Sequence, residues 1–368
     1  MELIFMIPML DLQREFRDIE KEVIQSVVDI LGSSRYVLGP HVEEFERQLS
    51  AYHGVSYAAG VGSGTGALFL SLACLSVGKG DEVITTPFTF FATIESIIYN
   101  GARPVFVDID DNTLNIDVNK IEEKITKKTK AILPVHLFGL PCDMDGIVSL
   151  ARQYKLGIVE DCAQSFGSSI NGQLTGSFGN AGCFSFYPSK NLGCYGDGGA
   201  VTTNDHRMYQ QILALRNHGS HGNYVHECLG FNSRLDEIQA GILLIKLKKV
   251  EQQNQLRRQN AQIYNSLLAG RLCCPHVPQG YVSNYHQYTI RSPQRDKIRL
   301  RLQDEGISSV VYYPIPMHLQ RATQEYGYKE GDFPIAERAC QEVLSLPVYP
   351  GMPEQDIHRV CEVILGCL

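Results

Sequence analysis

The stretch SFYPSKNLGCYGDGGAV, residues 185–201, sets Lys190 just after a short apolar run, CFSF at 183–186, and follows it with Gly193, Gly196, Gly198 and Gly199. The run reads as a buried strand, and the glycines let backbone approach another group closely. A solvated loop lysine is the plain alternative. Asp161 closes a second such run, GIVED at 157–161, twenty-nine residues earlier (190 − 161). A carboxylate at the end of a central strand is costly unless something positive meets it, although strand–helix junctions also use Asp as a helix cap. A third run ends in GVGSGTGALFLSL, residues 60–72, where a turn carrying Ser63 and Thr65 passes directly into a helix. Free N–H groups at such a helix start, beside small side chains, suit a phosphate. Ser and Thr are equally ordinary caps, and the stretch is neither a GxGxxG fingerprint nor a Walker loop. The fourth stretch is TPFTFFAT, residues 86–93, whose aromatic residues belong either to the core or to a face against a flat ligand.

A phosphate cradle, an aromatic face, a buried carboxylate and a lysine together ask for a flat, phosphorylated, cationic heteroaromatic aldehyde. Pyridoxal 5′-phosphate meets each demand: the lysine makes the Schiff base, and the aspartate keeps the pyridine nitrogen protonated so that the ring acts as an electron sink. Such a lysine needs an amine that can lose its proton, which burial and neighbouring charge can supply.

These residues need a frame that gathers strand ends. From about 55 to 205, short apolar runs alternate with helical patterns: VSYAAGV, EVITT, PVFVDI, KAILPV, LGIVE, GCFSF and GAVTT read as strands, and 65–75 and 145–154 as helices between them. Strands apolar on both faces in a strand–helix–strand succession predict a mostly parallel sheet covered by helices, with ligands beyond the carboxyl ends of its strands. Residues 10–31 and 41–53 read as amphipathic helices ahead of the sheet. One long helix is expected over 235–267, leading to a smaller α+β region with strands at 285–292 and 308–314 and helices at 295–304, 334–344 and 354–365. The expected domains are 1–245 and 246–368.

Composition narrows the function. A net charge of −7 over 368 residues leaves no basic field for nucleic acid. The eleven cysteines are odd in number and contain no CxxC pair or metal-ligand cluster, so reduced thiols in a cytoplasmic protein are expected, with no metal site. The start, MELIFMIPMLDLQREF, lacks a cationic lead and meets Pro8 and then charges, so neither a signal peptide nor a membrane span is expected there.

The ordered motifs PMLDLQREF, YVLGPHVEEFE, GSGTGAL, PFTFFAT, GARPVFVDID, PVHLFG, VEDCAQSFG, FSFYPSKNLG, RNHG, GFNSRLDEIQA, YYPIPMHLQ and LSLPVYP run almost end to end. The chain thereby resembles the DegT/DnrJ/StrS family of pyridoxal-phosphate-dependent nucleotide-sugar aminotransferases. The resemblance implies an α/β, type I (aspartate-aminotransferase-like) fold, with a mostly parallel central sheet and a smaller C-terminal α+β domain. It implies Lys190 as the cofactor-bearing lysine, Asp161 as the pyridinium partner, Gln164 beside the cofactor's 3′-oxygen and Phe90 over one ring face. Gly64, Thr65 and Ser185 would hold the phosphate, joined by Asn232 from the neighbouring subunit of a homodimer. Tyr313 and His318 would face the sugar nucleotide. One departure is Asp197 in GDGG, where the family usually has Glu. The implied reaction moves an amino group from L-glutamate to a C3 or C4 ketone of a nucleotide-linked sugar, feeding polysaccharide, glycan or antibiotic synthesis. Another type I reaction, such as a lyase on a small amino acid, and a protein that binds the cofactor without turnover stay open as alternatives.

Overall fold

A computed structural model describes residues 6–222 and 224–368. Part of the N-terminal reading above rests on residues 1–5, which lie outside the described residues. Three helices lead in, α1 (Leu12–Arg17), α2 (Glu20–Ser33) and α3 (Pro40–His53). Strands and helices then alternate: β1 (Tyr57–Val61), α4 (Gly64–Cys74), β2 (Glu82–Thr85), α5 (Phe91–Tyr99), β3 (Arg103–Phe106), β4 (Thr129–Ile132), α6 (Met144–Tyr154) and β5 (Gly157–Asp161). The two-residue strands β6 (Ser169–Ile170) and β7 (Gln173–Leu174) precede β8 (Ala181–Ser185), β9 (Gly199–Thr203) and α7 (His206–Leu215). The remainder holds α8 (Glu237–Leu247), α9 (Val250–Leu268), β10 (Tyr281–Val282), β11 (Tyr288–Arg291), α10 (Arg295–Asp304), α11 (Pro334–Glu342), β12 (Val343–Leu346) and α12 (Glu354–Leu365).

Seven strands form one sheet in the order β1-β9-β8-β5-β4-β2-β3. Neighbours from β8 through β5, β4 and β2 to β3 are parallel, while β9 runs antiparallel to both β1 and β8. The strands are buried on both faces because helices cover each side. Leu68, Leu70 and Leu72 of α4 pack with Ile94 and Ile97 of α5 on one face, and Phe45 and Leu49 of α3 with Leu243 of α8 on the other. A helix apolar all round, as GTGALFLSLAC is, suits the inside of such a stack. Glu237 fixes the start of α3: buried at the head of α8, its carboxylate accepts from the backbone N–H groups of Gly39 (2.9 Å), His41 (3.0 Å) and Val42 (2.9 Å). That satisfies donors which every helix start leaves open.

A second core gathers Ala261, Tyr264 and Leu268 of α9 with Tyr288, Ile290, Leu302, Leu344 and Ile364. Here the elements differ from the sequence expectation in four places. The helix expected over 235–267 is two, because Lys248 and Lys249 form a turn between α8 and α9; the Lys249 N–H bonds back to Lys246 O at 3.0 Å. The turn redirects the chain from Leu243 in the sheet's core to Tyr264 in the second, and apolar spacing continues across it, which hides it from a periodicity reading. The helix expected over 10–31 is likewise broken where Ile19 (φ −129°, ψ 5°) turns its side chain into a cluster with Ile242 and Ile245. Residues 308–314 form no strand beyond a bridge from Val310 to Ser345, since Pro314 ends the stretch and Pro316 follows. The helix expected to reach residue 344 stops at Glu342, because Val343–Leu346 pairs with β11 in antiparallel register. Among the described residues, no helix is long and apolar enough to cross a membrane.

Candidate active site

A cavity of about 510 Å³ lies beyond the carboxyl ends of β1, β5 and β8, and Lys190, Asp161, Gly64, Thr65, Phe90, Gln164, Ser185 and Tyr313 all line it. The residues from 64 to 190 meet there because the parallel connections return strand ends to the same side of the sheet, and the segment carrying Tyr312 and Tyr313 closes over them from the C-terminal region.

At the end of β1, Ser63 caps α4, its Oγ accepting from Gly66 N at 3.0 Å. The backbone here sits close against β8: a Cβ on Gly64 would fall 2.6 Å from Ser185 Cβ, so only glycine fits. The result is a floor of small side chains under the N–H groups of a helix start, an anion cradle.

At the end of β5 the two acidic residues part ways, as alternation along a strand requires. Glu160 faces away from the cavity and accepts from Gly176 N (2.8 Å), Phe178 N (2.9 Å), Gly179 N (2.9 Å) and His136 Nε2 (3.1 Å). His136, Glu160 and Cys162 place ligand atoms within 4.8 Å of one another, but these donors already engage both oxygens of Glu160. Asp161 faces the cavity, 5% exposed, and accepts from Thr93 Oγ1 at 2.8 Å and Ala163 N at 3.2 Å. Burial pushes its carboxyl above the ordinary range, opposed by those hydrogen bonds and by the Lys190 charge.

Lys190 sits in the turn after β8, its N–H bonded to Tyr187 O at 2.8 Å. Its side chain lines the cavity, and burial lowers the amine from 10.5 to about 8, partly offset by Asp161. Gln164 is anchored at both ends, Oε1 accepting from Phe138 N (2.6 Å) and Nε2 donating to Tyr313 Oη (3.1 Å). Phe90, 59% exposed, forms an outer wall 6.2 Å from the Tyr313 ring.

Two expected site residues lie elsewhere. Asn232 is exposed and outside its own chain's cavity, in a bridge with Asn217. His318 is 1% exposed and does not line the cavity; its Nε2 meets Glu337 Oε1 at 3.0 Å and its ring packs 4.8 Å from Phe333. The short turn Met317–Leu319 carries that ring inward while Tyr312 and Tyr313 turn to the cavity. The structure adds residues the sequence reading did not single out: Thr89, Tyr187, His286, Gln287 and Tyr312 on the cavity wall, and Thr93 behind Asp161. His286 is held by Asn191 Oδ1 at 3.0 Å, and burial, with Lys190 and Arg257 nearby, keeps it neutral at ordinary pH. A signal for it was present, since His286 and Gln287 interrupt an otherwise β-rich run.

The fit to pyridoxal phosphate rests on this geometry. A buried carboxylate with a raised pKa calls for a cation, the glycine floor leaves room for a phosphate, and the one lysine in the cavity has an amine near neutrality. Fold and site together define a pyridoxal-phosphate-dependent aminotransferase of the type I architecture.

The model of the DegT/DnrJ/EryC1/StrS aminotransferase family matches residues 17–365. The chain belongs to that family. It is 44% identical over 362 residues to a "pleiotropic regulatory protein" of Geobacillus stearothermophilus, covering 97% of each chain. It is 45% identical over 359 residues to the UDP-N-acetyl-3-dehydro-alpha-D-glucosamine 3-aminotransferase of Acidithiobacillus ferrooxidans, covering 97% of each. To the dTDP-3-amino-3,6-dideoxy-alpha-D-galactopyranose transaminase of Aneurinibacillus thermoaerophilus it is 44% identical, covering 98% of this chain and 99% of the relative. The crystal structure of S. venezuelae DesV in complex with a ketimine intermediate superposes with a TM-score of 0.95 at 40% identity, over 97% of both chains. NtdA from Bacillus subtilis, solved with bound cofactor PMP, gives a TM-score of 0.92 at 32% identity, over 100% of this chain and 86% of that one.

Proposed function

We propose that this protein transfers the amino group of L-glutamate to the C3 ketone of a nucleotide-linked sugar, making an amino-sugar nucleotide. The observation that carries the reaction is the shared cavity of Lys190, Asp161 and the N-terminus of α4. Position C3 rests on the two transaminase relatives whose names place the amino group there.

Bound pyridoxal phosphate supplies an electron sink conjugated to the amino group being moved. Asp161 would hold a proton on the pyridine nitrogen, which keeps that sink effective. The N–H groups of Gly64 and Thr65, with Ser185, would hold the phosphate, Gln164 would serve the 3′-oxygen, and Phe90 would cover a ring face. Lys190 would anchor the cofactor and, with its amine free, would take and return the proton at the donor's Cα. A base near pH 8 suits that task, and such transfer contributes roughly 10²–10⁴-fold. Tyr313, tied to Gln164 on the cavity wall, would face the sugar in this reading.

The working unit in this reading is a cytoplasmic homodimer in which Asn232 serves the partner's site. Tyr224 (97% exposed), Leu229 (95%) and Phe231 (42%) beside Asn232 are large apolar side chains for which a second copy would provide cover. The division at residues 245 and 246 belongs to the same proposal, with α9 leading into the second core.

Glutamate alone should convert the bound cofactor to its amino form once and stop. A nucleotide-linked 3-keto sugar should restart turnover, while the 4-keto isomer and free keto-hexoses should be poor acceptors, the latter for want of the nucleotide's binding energy. Equal efficiency with free sugars would contradict the sugar-nucleotide assignment, and preference for the 4-keto isomer the ring position.

A further inference from the structure

The cofactor cavity is poor in positive charge: Lys190 stands among its lining with the carboxylates Asp161 and Asp197, and among the described residues no arginine lines it. Substrates of the proposed reaction are nevertheless rich in anionic groups, the donor's two carboxylates and the acceptor's diphosphate. On the other side of Lys190 lies a second cavity of about 450 Å³, sharing Ser189 and Lys190 with the first and bounded by Arg257 of α9, Tyr349 and the start of α1.

Arg257 is 4% exposed. One guanidinium nitrogen, Nη1, donates to Val348 O at 2.5 Å and reaches Tyr285 O at 3.4 Å. Among the described residues, no carboxylate lies within ion-pair distance of it, and Nε and Nη2 have no protein acceptor. Burial lowers its pKa from the usual guanidinium range to about 10, and the charge that counters this, Glu15, is itself taken by Lys246 Nζ at 2.8 Å. A buried cation without a counter-charge is destabilising, as a buried salt bridge missing one partner is. It is a natural seat for an incoming anion, and the guanidinium fork matches the two oxygens of a carboxylate or phosphate.

We propose that this second cavity is an oxyanion subsite, in which Arg257 receives a carboxylate or phosphate group of a substrate whose reacting end lies at Lys190. This rests on the transaminase reading for the identity of the substrates, but the binding test is independent of turnover. Two sources share the chemistry, the amino donor's carboxylate and the acceptor's diphosphate.

The holoenzyme is titrated calorimetrically with glutarate, the donor's skeleton without its amine, and separately with inorganic pyrophosphate. One probe should bind and lose about tenfold or more in affinity in Arg257→Met, the loss of a charged hydrogen bond, with partial recovery in Arg257→Lys. Glutarate as that probe names the donor's carboxylate, and pyrophosphate the nucleotide. Wild-type affinity for both probes in Arg257→Met overturns the proposal, as does the failure of both probes to bind the wild-type holoenzyme. Should Arg257→Met not fold, Gln252→Trp fills the cavity from its exposed rim; unchanged binding of both probes there overturns it equally. An enzyme that aminates no keto-sugar nucleotide yet shows the Arg257-dependent binding refutes the substrate reading and leaves the subsite standing.

Discussion

Thr93 Oγ1 lies 2.8 Å from Asp161 Oδ2, and Thr89 Oγ1 lies 2.8 Å from Thr93 Oγ1. All three side chains are buried. Asp161 can only accept when ionised, so Thr93 donates to it and Thr89 donates in turn to Thr93, each bond polarising the next. The chain links the cavity wall beside Phe90 to the carboxylate that is to hold the pyridinium. Thr93→Val keeps the shape and removes the donor, and a hydrogen bond to a charged group is worth about 1.5–3 kcal/mol. The variant should bind pyridoxal phosphate roughly tenfold or more weakly, with the pH at which the bound cofactor's absorption changes moved from its wild-type position. An unmoved absorption titration, whatever happens to turnover, would show that Thr93 only fills space.

Asp161 also makes the apoenzyme's stability depend on pH in an uncommon direction. Its carboxyl is raised above 3.8 in the folded protein, chiefly by burial. The folded state therefore gains from a protonated Asp161, and this contribution is complete below pH 3.8 and lost as pH rises through the raised value. Asp161→Asn should melt higher than the wild-type apoenzyme at pH 7, with the gap closing on acidification. With cofactor present the order should reverse, since an amide gives the pyridinium no counter-charge, and activity should nearly vanish. Thermal melts of both forms, with and without cofactor, read this directly; an Asp161→Asn apoenzyme less stable than wild type at pH 7 contradicts the account.

An amine at about 8 instead of 10.5 sets the pH at which the apoenzyme captures its cofactor. Only the neutral amine attacks an aldehyde. The second-order rate of capture, followed by the rise of the yellow band, should climb with pH, pass its midpoint near 8 and level off. Lys190→Ala should show no such band at any pH. A midpoint near 10.5 would place the wild-type lysine in water instead of the cavity.

The parts of this site that could be read in the sequence are those whose residue types together fit one chemistry. A lysine after a buried run, an aspartate at a strand's end and GSGTG before a helix each have an ordinary reading alone, and point to chemistry only in combination. Parallel strand order then brings their neighbourhoods together. Glu160 and Asp161 looked alike in sequence. What separates them is three N–H groups at residues 176–179 and the ring of His136, which only the folded chain brings to Glu160. Thr93 read as part of an aromatic core stretch, because its partner Asp161 lies 68 residues away. Arg257 sat unremarked in a polar helix, where arginine is ordinarily a surface residue; its burial follows from the turn at Lys248–Lys249 that aims α9 into the second core. His318 differs in the opposite sense, since a histidine two residues past Pro316 looks available in sequence, and the packing against Phe333 that buries it is a tertiary contact.

Asn232 remains the residue whose role depends most on a second copy of the chain. It is exposed, it misses its own cavity, and Phe231 beside it is 42% exposed. If it reaches the cofactor phosphate of a partner, each site joins Lys190 of one chain to Asn232 of the other. Lys190→Ala lacks the reacting amine, and Asn232→Trp puts a bulky ring where the partner's phosphate would lie, so each homodimer should be inactive. Mixed and allowed to exchange, the two variants reassort into dimers of which about half are mixed, each with one intact site and one carrying both lesions. Roughly a quarter of the wild-type activity per site should return, on the time scale of subunit exchange measured by mass spectrometry. Exchange without recovered activity would mean that Asn232 serves its own chain or that the protein does not work as this dimer.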